Sequence, residues 1–150
     1  MAKNKNYNVK LSRRITSKTN YKKRLKLVKS KDIRLVIRPH LNNLTVQFIE
    51  FSEGGDKILI TVNSSKLKGL GWKAYRGNIP SAYLTGLYAG LLAKKKNLKS
   101  AILDIGNYRS VKGSRIYSAL KGVIDSGVNV PHSDNILPSE DSISGKIIES

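Results

Sequence analysis

The chain of 150 residues has no cysteine, one tryptophan, one methionine and two phenylalanines, and only 10 Asp and Glu stand against 28 Lys and Arg. The missing thiols exclude a disulfide scaffold, cysteine-ligated zinc and a thiol nucleophile, and they point to an intracellular protein. No run approaches the roughly 18 consecutive apolar residues of a spanning helix. Residues Met1 to Arg14 are polar and basic, without the apolar segment of a secretory signal, so neither secretion nor membrane insertion is expected. The two histidines, His40 and His132, are far apart in turn-like sequence and have no acidic ligands beside them, which argues against a metal or general-base role. There is no internal repeat and no low-complexity segment. An apolar share of 39% at this length suits one domain with modest extensions and rules out a second large one.

The chain does have charge, +18 in all and unevenly placed. Residues Met1 to Arg38 hold fourteen Lys and Arg and the single acid Asp32, thirteen of the eighteen net charges. Gly122 to Ser150 carries one Lys and five acids and is net negative. A surplus of this size implies a polyanionic partner. For the basic arm three readings compete: a solvated charge run, an anionic membrane surface, or nucleic acid. Within it Tyr21, Leu25 and Val28 fall at i, i+4 and i+7, and Lys22, Lys26 and Lys29 repeat the spacing one position on. This predicts an amphipathic helix over about Thr19 to Lys29. Its apolar stripe is narrow and lacks Trp and Phe, which favours docking on the protein core with the lysines toward phosphates over a membrane. In Met1 to Thr16 the apolar residues Ala2, Tyr7, Val9, Leu11 and Ile15 recur at no helical period, so this part is expected to be mobile until a polyanion cancels its charge.

Beyond the arm the period changes to two. Ile33 to Arg38 reads as a first strand stopped by Pro39; Leu44 to Ile49 and Ile58 to Val62 read as the second and third, joined by turns at Asn42-Asn43 and Glu53 to Asp56. Short turns predict an antiparallel meander. Ser64 to Asn78 reads as an irregular functional loop. Pro80 opens a helix to about Ala93, in which Ala82, Gly86 and Gly90 are expected to let the helix lie close on the sheet. Ala101 to Ile105 is expected to be a buried strand, and Ser114 to cap a second helix ended by Gly127, with Ile116, Ala119, Leu120, Val123 and Ile124 as its core face. Val128 to Val130 fits a last edge strand, and Pro131 to Ser150 a tail with one short helix near Glu140. The fold class is thus α/β (α+β): a three-stranded antiparallel meander, then helix, strand and helix. The segments are a basic arm (1–31), a globular α/β domain (32–130) and an acidic tail (131–150).

Such a meander opens the ribonuclease-H-like architecture, whose nucleases cluster carboxylates around two Mg²⁺ ions. Here Glu50 ends the second strand and Asp104 stands alone on the buried strand, where a hydrogen-bonded structural role fits better. Lys112-Gly113-Ser114 has the wrong order for a phosphate loop. Arg109, Lys112 and Arg115 surround a helix N-terminus that suits a backbone phosphate, and equally read as solvated basic residues. Trp72 and Tyr75, flanked by Lys73 and Arg76, read either as a platform for unpaired bases or as an aromatic loop tucked onto the core.

Taken in order, Arg13-Arg14, Thr19-Asn20-Tyr21, Arg24-Leu25-Lys26-Leu27, Arg34-Leu35-Val36, Gly69-Leu70-Gly71-Trp72-Lys73, Gly77 to Leu87, Leu103 to Gly106, Lys112 to Arg115 and Pro131-His132-Ser133 carry a resemblance covering most of the chain. The chain resembles the 5S-rRNA-binding family of large-subunit ribosomal proteins, the universal L-eighteen family, in its archaeal and eukaryotic branch. The resemblance implies a ribonuclease-H-like motif without an active site, no catalysis and no cofactor. It implies a cytoplasmic, ribosomal protein that holds 5S rRNA and helps attach it to the central protuberance, beside large-subunit 23S-type rRNA and neighbouring 5S-associated proteins. Arg13, Arg14, Lys18, Tyr21, Lys22 and Arg24 are then expected on rRNA with Lys26 of the same helix, and Arg34, Arg38 and the Lys112 to Arg115 turn as further contacts. A metal-dependent nuclease and an RNA chaperone outside the ribosome are the alternatives.

Overall fold

Leu44, Val46 and Phe48 are fully buried while the intervening Thr45 and Gln47 are partly exposed, the period of two that defines strand β2 (Leu44–Glu50). The computed structural model describes residues 9–149. In it β2 pairs antiparallel with β1 (Arg34–Pro39) through Leu35↔Phe48 and Ile37↔Val46. On its other side β2 pairs antiparallel with β3 (Lys57–Asn63) through Val46↔Val62 and Phe48↔Ile60. The expected meander is present. Pro39 does not stop β1 but ends it, opposite Leu44, because a proline at a strand end forfeits only one donor. A short β4 (Ile102–Asp104) lies parallel on the free edge of β1 and gives the order β3-β2-β1-β4. As the edge strand it is half buried rather than buried as expected. The expected strand at Val128 to Val130 is a single bridge, Ser100↔Asn129, in which Ala101 N–H donates to the Asn129 carbonyl at 3.0 Å.

One sheet face is covered by α3 (Ile79–Lys95) and α4 (Arg115–Asp125). Asn78 caps α3, its Oδ1 accepting from Ser81 N–H at 2.9 Å, and Pro80 sits in the first turn where its missing donor is harmless. Ser114 occupies the N-cap position of α4, but contrary to expectation its hydroxyl makes no capping bond and is buried without a partner. Gly127, at φ +99°, ends that helix as expected. The expected core face holds: Ile116, Ala119, Leu120 and Val123 are buried, and Ile124 is half buried. The small-residue stripe has a different role from the expected one. A Cβ on Gly86 would lie 2.0 Å from the Ala119 carbonyl oxygen, and one on Gly122 would lie 2.2 Å from that of Tyr83. The stripe therefore sets α3 against α4, which lies along that side of the helix, and not against the sheet.

The segment expected to be irregular begins as a 3-10 helix, Ser64–Leu70, capped by Asn63. The tail holds a 3-10 turn (Asp134–Ile136), the expected helix α5 (Glu140–Ser144) and a further one, α6 (Lys146–Glu149). It is docked: Ile136 and Leu137 pack on the core, and the Ile136 carbonyl accepts from Gly113 N–H at 3.0 Å. In the arm, α1 (Ser12–Ile15) is a single turn with no buried residue, followed by α2 (Tyr21–Lys29). Residues 1–8 of the expected arm lie outside the described residues.

Candidate nucleic-acid interface

Helix α2 begins at Tyr21 rather than Thr19 because Asn20 caps it, its Oδ1 accepting from Lys23 N–H at 3.1 Å. The expected docking stripe of Tyr21, Leu25 and Val28 is rotated. Leu25 is 55% exposed, and the half-buried side is Tyr21, Arg24, Leu27 and Val28. On this inward side Arg24 Nη2 lies 2.8 Å from Asp56 Oδ2, an ion pair that accompanies the packing of Tyr21, Leu27 and Val28. Asp56 belongs to the β2–β3 turn, 32 residues from Arg24 in sequence.

Asp56 is also 2.7 Å from Arg34 Nη2, and Arg34 continues the chain of charge to Asp104, 3.4 Å from its Nη1. Asp104 meets Arg38 Nη2 at 3.2 Å, and its Oδ1 accepts from Gly106 N–H at 2.8 Å. Burial pushes the Asp56 pKa up, but the Arg34 and Arg24 guanidinium groups outweigh it and hold the carboxyl below the usual carboxylate range. Arg34 and Arg38 alternate with Leu35 and Ile37, so the pleat turns the arginines to the sheet face away from α3 and α4. Arg34 is only 3% exposed, which places this expected RNA contact out of a phosphate's reach and makes it the support on which α2 rests. Asp104 is an internal counter-ion. Among the described residues no group of three His, Cys, Asp or Glu is placed to share a metal ion.

Between the arm and the chain leaving β4 runs a groove of about 960 Å³, lined by the cations Arg13, Lys18, Lys23, Arg24, Lys26 and Arg38, by His40, and by a single acid, Asp104. Its shape is held by side-chain hydrogen bonds as well as by ion pairs. Asn107 Nδ2 donates to the Ser17 carbonyl at 2.6 Å, Arg13 Nε to Thr19 Oγ1 at 2.9 Å, and Tyr108 OH to the Pro39 carbonyl at 2.9 Å. Of the sequence candidates, the groove gathers Arg13, Lys18, Arg24, Lys26 and Arg38, while Arg14, Tyr21 and Lys22 are not in its lining. Lys23, Asn107 and Tyr108 are additions that sequence reading missed. Lys23 alone carried a signal, as a further lysine of the basic helix.

Trp72, Lys73 and Arg76 line a second groove of about 590 Å³ together with Lys68 and Tyr75. Arg109 and Lys112 are exposed between β4 and α4, in neither groove. Arg115 is half buried. Its Nη1 donates to the Gly77 carbonyl at 3.0 Å and the His40 carbonyl at 3.3 Å, joining the loop before α3 to the β1–β2 turn. That makes Arg115 a staple between the two grooves.

The sequence model of the family described as ribosomal large subunit proteins 60S L5 and 50S L18 matches residues 5–99 and 91–133. The large ribosomal subunit protein uL18 of Korarchaeum cryptofilum is 49% identical over 150 residues, all of this chain and 77% of the relative. The protein of the same name from Methanococcus maripaludis is 42% identical over 145 residues, 97% of this chain and 75% of the relative.

Proposed function

The chain belongs to the family of ribosomal large-subunit proteins 60S L5 and 50S L18, and from that premise we propose that it binds 5S rRNA and helps attach it to the central protuberance. As a member it is a structural protein of the large ribosomal subunit and not an enzyme. The observation that carries the finer reading is the groove between the arm and β4. Six Lys and Arg side chains converge there, and the single acid, Asp104, is already engaged by Arg34 and Arg38. A site with this lining recognises a phosphate backbone. Helical RNA is gripped mostly through its shape and phosphates, which suits cations spread over α2, β1 and the arm without a pocket for one base. Arg14 and Lys22 of the arm, with Arg109 and Lys112 beyond β4, extend the same field over the surface.

The Coulomb attraction is largely the release of counterions from the RNA. Neutralising about six phosphates gives a log-log slope of affinity on salt of roughly −4 to −5. The test is 5S rRNA binding measured across a salt series, with Arg13, Arg14 and Lys18 replaced together by Ala. The wild-type slope is expected in that range, and the variant is expected to bind more weakly with a shallower slope. A flat salt response, or a variant that binds like the parent, refutes the reading.

A further inference from the structure

The loop that carries the second groove is tied down in a way its composition did not require. Leaving the 3-10 helix Ser64–Leu70, the chain turns back through Trp72 N–H, which donates to the Leu67 carbonyl at 3.0 Å. Trp72 Nε1 donates to the Tyr75 carbonyl at 3.4 Å, and Tyr75 OH to the Leu41 carbonyl at 2.7 Å. The phenol end of the Tyr75 ring lies against Gly77, where an added Cβ would come within 2.8 Å of its Cζ. Arg115 then fixes the Gly77 carbonyl. Both aromatic rings are thus held by their polar ends, yet neither belongs to the hydrophobic core: Trp72 is half buried and Tyr75 is 55% exposed. An aromatic loop tucked onto the core would bury these rings. Around them stand Lys68, Lys73 and Arg76, which form no ion pair among the described residues, and no acid lines the groove.

We propose that this aromatic and basic groove is a second RNA site, one that takes an unpaired nucleotide by stacking its base on Trp72 or Tyr75 while Lys73 and Arg76 hold the adjoining phosphates. The chemistry follows from the lining. Every base has a π-face, so stacking is sequence-tolerant, and pre-set rings lose little freedom when a base arrives. A duplex hides those faces and is left to the first groove. The two grooves share no lining residue, but they are neighbours. His40 lines the first, Tyr75 of the second bonds to Leu41, and Arg115 bridges the His40 and Gly77 carbonyls. The site therefore continues the phosphate track of the first groove, and the inference rests on the RNA-binding reading above.

Trp72 is the only tryptophan, so its fluorescence reports the site directly. The full chain is titrated with a fluorophore-labelled 12-nucleotide single-stranded RNA of unstructured sequence, with the same strand annealed to its complement, and with oligoglutamate of equal charge. Label anisotropy follows RNA binding in parallel. The single strand is expected to quench Trp72 and the other two are not. Trp72→Leu is expected to weaken single-strand binding, followed by anisotropy, at least about 5-fold, the lower end of one stacked base converted to affinity. Replacing Lys73 and Arg76 by Gln is expected to weaken it as well and to lessen its salt dependence, because two phosphate contacts are lost. In the Arg13, Arg14 and Lys18 alanine variant the quench is expected to persist while 5S rRNA binding weakens, which separates this site from the first groove. The inference is overturned if the strand binds without quenching, if duplex or oligoglutamate quenches equally, or if the quench disappears in the arm variant alone.

Discussion

Asp56 is the residue on which the pose of the basic helix depends, and its removal should cost far more than loss of the partner nearest the solvent. Its carboxylate meets Arg24, 42% exposed, on one side and Arg34, 3% exposed, on the other. In Asp56→Ala the buried Arg34 keeps only Asp104, at 3.4 Å, and its Nε already has no hydrogen-bond partner. Breaking a buried pair by deleting one member costs about 3–5 kcal/mol. The remaining carboxylate and the 23% exposure of Asp56 itself place this case near the lower end, about 3 kcal/mol. Arg24→Ala breaks only the outer contact, worth at most about 1 kcal/mol. Urea denaturation measures both, the midpoint falling without a change of slope if the native state is otherwise kept. Equal losses in the two variants would refute the argument, since they would mean that Arg34 needs no counter-ion.

The same carboxylate sets an acid limb. Its pKa is depressed in the folded state, so its stabilisation is fully present above the ordinary carboxylate range, near pH 4, and is lost as pH falls through the lowered value. Asp56→Asn should therefore flatten the decline of stability below about pH 4. An acid limb identical to the parent's would place the titrating group elsewhere.

Gly86→Ala puts a methyl 2.0 Å from the Ala119 carbonyl oxygen, a backbone atom that cannot swing away, so a loss of about 3 kcal/mol or more is expected in thermal or urea unfolding; a near-neutral effect would mean that α3 and α4 separate freely. Hydrogen exchange in the free protein should show the amides of Ser12 to Thr16, one helical turn without a buried residue, exchanging far faster than those of Ile116 to Val123; equal protection would show a preformed arm. RNA incubated with the protein and Mg²⁺ or Mn²⁺ should stay intact, because Asp104 is held by two arginines and an amide; cleavage that vanishes in Asp104→Asn would reverse that assignment.

What the sequence made legible was whatever depends on neighbours along the chain. Alternation at Leu44, Val46 and Phe48 and the helical period at Ile116, Ala119, Leu120 and Val123 are local patterns, and both elements formed on the expected faces. The inward side of α2 was not local. The i, i+4, i+7 spacing selects Tyr21, Leu25 and Val28, whereas the inward side has Leu27 in place of Leu25 and adds Arg24, which meets Asp56 of a distant turn. Arg34 was hidden for a related reason: in a β-branched run an arginine reads as exposed by type, and only the pairing of strands reveals two carboxylates waiting for it. The stripe at Ala82, Gly86 and Gly90 announced a close approach without naming the partner, since spacing fixes a side of a helix and says nothing of which element lies there. In the candidate site, the charges of the arm were visible, whereas the hydrogen bond from Asn107 to Ser17 that helps shape the groove left no trace in composition or period.

The shortage of acids then gains a structural reason. Among the described residues the cations in ion pairs are Arg24, Arg34, Arg38, Lys121 and Lys146, with His132 as a further, titratable partner. Asp56 and Asp104 serve Arg24 of α2 and the two arginines of β1 beneath it, where a guanidinium has to be buried or oriented. Asp125, Asp134 and Asp141 pair within their own stretches of α4 and the tail. Among the described residues no acid pairs with Arg13, Lys18, Lys23 or Lys26 along the first groove, or with Lys68, Lys73 or Arg76 along the second. The fold thus places two carboxylates, Asp56 and Asp104, in the support and leaves the cations above it uncompensated among the described residues, so the field of the surplus charge leaves from the groove side and not from the tail. A polyanion meeting such a molecule is oriented before it makes contact, which is how the proposed groove would set one pose on RNA.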